Sequence, residues 1–171
     1  MPGPAPVFDR TVQIGEELAA KYGDSADGQV KIISMGEPNY GRAMKEGILL
    51  ARGEFVICDE IDLCDADFHK AAIEILASNQ ADLVIGSKLA AGAEDERPLL
   101  RHVASIAYSG MLRAALGFRG TDTHGLKAFR RAALLDVARA CLVEKDVFAS
   151  EFVIRADRGG VKIKEIPVRV M

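Results

Sequence analysis

A chain of 171 residues with 49% hydrophobic and 27% charged side chains has the length and composition of one folded domain, which excludes an intrinsically disordered chain. The net charge of −3 provides no general attraction for polyanions, so nucleic acid is not an expected partner. Three scattered cysteines, Cys58, Cys64 and Cys141, exclude a disulfide framework and read as reduced, buried thiols.

Along the chain, residues 1–6 show neither the basic start nor the apolar run of a signal peptide, and no stretch approaches the ~18 apolar residues of a membrane span. The expected location is therefore cytoplasmic, at most peripheral to a membrane. Residues 11–22 predict a helix with Val12, Ile14, Leu18 and Ala19 on one stripe. Val30 to Ser34, β-branched and preceded by a Gly/Asp/Ser turn, predicts a buried strand. A helix is expected from Tyr40 to Ala51, a strand from Glu54 to Cys58, and a helix from Ala66 to Ser78 facing inward through Phe68, Ala72, Ile75 and Leu76. Ala81 to Ser87 predicts the next strand, residues 90–97 a polar loop, and Pro98 the first turn of a helix ending near Gly117. That helix offers Leu99, Val103, Ile106, Leu112 and Leu116 as a broad apolar face, suited to a core or to a membrane surface. A strand at Lys127–Phe129, helices from Arg131 and at 148–158, and a strand from Val161 to Val168 complete the pattern.

Three strand–helix units in series predict an α/β fold, three layers α/β/α, with a mostly parallel sheet. Ligands in such folds sit beyond the carboxyl ends of the strands. An acidic run and a Gly86-Ser87-Lys88 turn both fall there. Asp59, Glu60, Asp62, Asp65 and Asp67 place five carboxylates in nine positions. Residues two apart at a strand end share a side, so Glu60 and Asp62 can converge. Converging carboxylates repel unless one is protonated or a cation neutralises them, and a hard divalent ion, Mg²⁺ or Mn²⁺, with a substrate diphosphate is the natural filler. An EF-hand fails, because Cys64 and Lys70 stand where Gly and Glu are required. Asp65 and Asp67 read instead as caps of the following helix.

The stretch Asn39-Tyr40-Gly41-Arg42-Ala43, Gly47, and Ala51-Arg52-Gly53-Glu54-Phe55-Val56 resembles a conserved segment of family 2 glycosyltransferases of the dolichyl-phosphate mannosyltransferase type. Ala81-Asp82-Leu83-Val84-Ile85-Gly86-Ser87-Lys88, then Asp122-Thr123-His124-Gly125-Leu126-Lys127-Ala128-Phe129-Arg130, then Glu151-Phe152, then Lys164-Glu165-Ile166-Pro167-Val168 continue that likeness in order. The resemblance implies the nucleotide-diphospho-sugar transferase (GT-A) fold and transfer of a sugar, with inversion, from a nucleotide-diphosphate-sugar donor to an acceptor such as a polyprenyl phosphate. It places Glu60-Ile61-Asp62 on the family's Asp-x-Asp, with Glu for the first Asp; these two would hold the metal and the donor diphosphate. Lys88 and Arg101 fall where such enzymes set basic residues against the acceptor phosphate, Lys as a point charge rather than a two-pronged fork. Asp122 is the candidate for a catalytic acidic role. Each has a plainer reading: Lys88 and Arg101 as solvated charges, and Asp122 as a turn former. His124, where the family has a small residue, reads as a local hydrogen-bonding group.

The family's first strands, which hold the base and ribose, have no counterpart here: Phe8-Asp9-Arg10-Thr11 aligns with the end of that region. The expectation is a single partial domain over 1–171, lacking the first strands, with a sheet edge open to a homodimer or a partner chain. A non-catalytic subunit is the second reading that follows. A nucleotidyltransferase would need a glycine-rich basic phosphate loop, and the chain shows none.

Overall fold

The computed structural model describes residues 10–23, 30–36, 38–59, 65–95, 99–145 and 147–170, with backbone alone at 94, 95, 99–102, 104, 169 and 170. The chain divides into two compact units, Met1–Pro38 and Asn39–Met171.

In the first unit, helix α1 (Thr11–Tyr22) forms where the apolar period predicts it, yet it carries no buried residue. Val30–Ser34 forms no strand. β-Branched residues favour an extended backbone, but a strand exists only with a ladder partner, and no described segment supplies one. Ile32 lies instead beside α1, where a Cβ at Gly15 would meet its Cδ1 at 2.7 Å.

The second unit contains helices α2 (Tyr40–Leu50), α3 (Ala66–Ala77), α4 (Leu99–Leu116), α5 (Arg131–Ala140) and α6 (Phe148–Arg158). Its strands are β1 (Phe55–Cys58), β2 (Leu83–Ser87), β3 (Glu94–Asp95), β4 (Lys127–Arg130), β5 (Ile163–Pro167) and β6 (Arg169–Val170). Local chemistry explains several boundaries. The Asn39 side chain accepts from the Arg42 amide at the start of α2, and Asp65 accepts from the Asp67 and Phe68 amides at the start of α3. Asp65 is therefore the cap that the acidic run promised, whereas Asp67 lies in the first turn with an exposed carboxylate.

The main sheet has the order β1–β4–β2–β5. β1, β2 and β5 run in one direction, and β4 runs against both of its neighbours. The expectation of a mostly parallel sheet thus holds for strand direction but not for pairing, since β2–β5 is the parallel ladder. The reason is topological: β4 is entered from the loop at the carboxyl ends of β1 and β2, so it must run back between them. Residues 90–97, expected as loop, contain β3, which pairs in parallel with β6.

The alternation of strand side chains distributes the core to both faces. Val56, Leu83, Ile85 and Phe129 join Ile48 of α2, Leu134 and Ala138 of α5, and Phe148 and Phe152 of α6. On the opposite face Val84 and Ala128 meet Phe68, Ala72, Ile75 and Leu76 of α3. Helices thus cover both sides of a sheet whose central β2 is buried throughout, the α/β/α layering that the serial units predicted. At roughly 25 cal/mol per Å², burying a Phe or Leu side chain is worth about 1.5–3 kcal/mol, so these two clusters are the main source of stability.

α4 turns only part of the face that its sequence suggests inward. Leu112 is buried with Ser109, while Val103, Ile106 and Leu116 are exposed. Apolar residues surround this helix on nearly all sides, so periodicity alone could not select a face. The choice rests on Tyr108, whose hydroxyl meets Ser150 of α6 at 3.1 Å. Among the described residues no helix is long and apolar enough to cross a membrane.

Candidate active site

Beyond the carboxyl end of β2, the Ser87-Lys88 turn faces the loop that joins α4 to β4. Lys88 Nζ lies 3.3 Å from Asp122 Oδ2, with 16% and 5% of the two side chains exposed. Asp122 uses its two oxygens differently. Oδ1 accepts the amide of His124 at 2.9 Å, the two-residue reach of an Asx turn. Oδ2 is buried and accepts no directional hydrogen bond, so its link to Lys88 is an ion pair without hydrogen-bond geometry. Asp122 does shape a turn, and Lys88 is not a solvated surface charge.

The loop is clamped onto the sheet. Gly86 N donates to Leu126 O at 2.8 Å, and a Cβ at Gly125 would overlap the Gly86 carbonyl oxygen. Only glycine allows the two backbones to approach this closely. On the far side, Thr123 Oγ1 is 2.8 Å from Ser150 Oγ and 3.2 Å from His124 Nδ1. The His124 ring packs edge-on against Tyr108, with centroids 5.4 Å apart. His124 thus serves the loop through local contacts.

Lys127 is a site-proximal residue that sequence reasoning quoted but gave no role. It is 1% exposed, stands in register with Cys58 and Ile85, and donates through Nζ to Gly125 O at 2.7 Å. Its signal was its place in a motif; its burial was not legible. Burial pushes the adjacent Cys58 thiol up to about 11, against the downward pull of Lys127, with Asp59 adding to the rise. Cys58 is therefore a protonated core thiol, as expected. Asp59 Oδ2 meets His69 Nε2 at 2.7 Å, tying the end of β1 to α3.

Of the five residues singled out from sequence, the structure brings Lys88 and Asp122 together. Glu60 and Asp62 lie outside the described residues. Arg101 falls in the first turn of α4, placed by its backbone. Among the described residues no three His, Cys, Asp or Glu side chains gather as metal ligands.

The α/β/α domain is consistent with a nucleotide-diphospho-sugar transferase (GT-A) fold, and the chain belongs to glycosyl transferase family 2, whose model matches residues 8–137. The chain is also similar to Glycosyltransferase AglD of Haloferax volcanii, at 29% identity over 164 residues. That alignment covers 94% of this chain and 25% of the relative, so the chain spans about a quarter of the curated relative it matches. Glycosyl transfer is the chemistry of the family.

Proposed function

We propose that this domain transfers a sugar, with inversion, from a nucleotide-diphosphate donor to a phosphate-bearing acceptor of the polyprenyl-phosphate kind. The observation that supports the reading is the Lys88–Asp122 pair, a largely buried charge couple in which one carboxylate oxygen accepts no hydrogen bond. Lys88 supplies positive charge for the acceptor phosphate, joined by Arg101, and Asp122 holds that ammonium in place. In the transfer, an acceptor oxygen forms the bond to the anomeric carbon while the bond to the donor diphosphate breaks, and the electron pair leaves with the diphosphate. A phosphate nucleophile is already anionic and needs no base. A hydroxyl nucleophile must lose a proton, and Asp122 Oδ2 is the open acceptor for it.

Glu60 and Asp62 would hold Mg²⁺ or Mn²⁺, since carboxylate oxygens are the donors that hard ions choose. Such an ion supplies charge that stabilises the departing diphosphate. Calorimetric titration with UDP and GDP, with and without Mn²⁺, tests the donor side. Metal-dependent binding that disappears in Asp62→Ala supports it; silence from folded protein refutes it and returns the non-catalytic reading. Transfer from GDP-mannose or UDP-glucose to a polyprenyl phosphate tests the acceptor side, where Lys88→Ala should raise the acceptor KM.

A further inference from the structure

We infer that Glu165 is the positioning residue of this site, holding the Lys88 turn and the Asp122 loop in one geometry through an ordered chain of hydrogen bonds. The inference rests on the proposed roles of Lys88 and Asp122, and Glu165 itself lies beyond the residues that the family model matches. Glu165 stands on β5, beside β2 in the parallel ladder. Its Oε1 accepts the amides of Thr121 at 2.7 Å and Asp122 at 3.3 Å, and its Oε2 accepts the Thr121 hydroxyl at 2.5 Å. One carboxylate thereby gathers three donors from two successive residues, which a short O–H···O⁻ bond marks as a strong interaction.

The direction of the chain follows from proton counting. A carboxylate only accepts, and the Thr121 hydroxyl has one proton, which goes to Glu165. The 2.7 Å contact between Ser87 Oγ and Thr121 Oγ1 must therefore have Ser87 as its donor. With its proton committed, Ser87 Oγ accepts the amide of Leu89 at 3.1 Å. The chain reads Leu89 N–H to Ser87, Ser87 to Thr121, and Thr121 to Glu165. Lys88 sits between Ser87 and Leu89, and Asp122 directly follows Thr121. The two charged residues of the site are thus the neighbours of the links in one chain, and Glu165 is its terminus.

Fit supports the same assignment. Ser87 is fully buried, so its hydroxyl has no water to fall back on. A Cβ at Gly120 would come within 2.7 Å of Glu165 Oε1, so the loop closes on the carboxylate with no room to spare.

The test uses the whole chain and neither nucleotide nor turnover. Hydrogen exchange is followed in peptides covering 86–90 and 119–126, and trace acylation compares Lys88 with Lys70, whose side chain is 78% exposed. Thr121→Val removes the hydroxyl link while preserving shape. It should speed exchange at 86–90 about fivefold to tenfold, the loss expected for one buried hydrogen-bond link. It should also raise Lys88 acylation relative to Lys70. Thr121→Ser keeps the hydroxyl and should restore wild-type behaviour in both. Glu165→Ala should loosen both segments, and if it does not fold, the Val and Ser pair decides alone. Unchanged exchange at 86–90 and unchanged Lys88 acylation in Thr121→Val overturn the inference, as does equal behaviour of the Val and Ser variants. A protein that passes these tests yet binds no nucleotide keeps the clamp and loses the proposed function, so the two fail separately.

Discussion

Two carboxylates of the second unit, on strand β5 and on the loop before β4, are built for opposite purposes. Glu165 accepts three hydrogen bonds from neutral donors and has both oxygens engaged. Asp122, one residue along from Thr121, uses one oxygen to shape its turn and faces the other to an ammonium. A carboxylate with all its partners in the backbone and hydroxyls is a fastener, because any displacement strands buried donors. One with a buried oxygen that accepts no hydrogen bond and faces only an ion-paired ammonium is not fastened in this way. Glu151 likewise has both oxygens engaged, although one partner is charged: it accepts the amides of Leu142 and Val143, each at 2.8 Å, and Arg155 Nε at 2.7 Å.

Breaking the comparison at Asp122 has the largest expected effect. Asp122→Asn keeps an oxygen for the His124 amide but removes the charge that Lys88 faces. Transfer to a hydroxyl acceptor should fall about 10²–10⁴-fold, the usual contribution of a positioned base, measured as kcat under saturating donor. With a phosphate acceptor the loss should be smaller and reside in KM. Equal, small losses with both acceptors would remove Asp122 from the chemistry and leave it as a turn residue.

A methyl group between loop and sheet comes next. Gly125→Ala pushes a Cβ into the Gly86 carbonyl, so the loop must lift from β2. Overpacking of this kind costs about 1–3 kcal/mol, readable as a lower urea midpoint. Activity should fall further than stability, because Lys88 and Asp122 separate. A variant as stable as wild type would show that the clamp is looser than the geometry describes.

The fastener side is sharpened by pH. Burial alone would raise the Glu151 carboxyl, but hydrogen bonds from Val143, Arg155 and Leu142, with the Arg155 charge, outweigh it and hold the group below the ordinary glutamate value. A depressed folded-state value means that this stabilisation is present above the unfolded-state pKa, near 4.3, and is lost as pH falls through the folded one. Glu151→Gln should therefore lower stability at neutral pH and flatten its decline between about pH 5 and 3. An acid limb as steep as in the wild type would place the titrating group elsewhere.

The smallest effect concerns the thiols. With both Cys58 and Cys141 pushed up to about 11 by burial, neither should react with iodoacetamide in the folded protein at pH 8. Labelling of Cys58 in Gly125→Ala but not in wild type would report the same lifting of the loop.

Much of this arrangement was legible in the residues. The helices α2, α3, α5 and α6 and the strands β1, β2 and β5 follow from apolar periods and from side-chain caps such as Asn39 and Asp65, which act within a few positions. Lys88 and Asp122 were singled out separately by their motifs. Their pairing was not readable, because 33 residues and a helix lie between them and nothing local measures that distance. Glu165 was visible as part of a motif without a role, since its three donors come from a loop more than 40 residues earlier.

Sequence by itself determined where most of the regular structure forms and which family the residues resemble, since both depend on spacing along the chain. Tertiary structure alone decided that β4 runs against its neighbours, that α4 faces inward through Tyr108 and Leu112, and that Val30–Ser34 pairs with no strand among the described residues. It also decided which buried carboxylate has an oxygen that accepts no hydrogen bond. The physical reason is common to all four: ladder partners, helix faces and hydrogen-bond satisfaction are relations between distant segments, and they acquire an energy only when those segments meet.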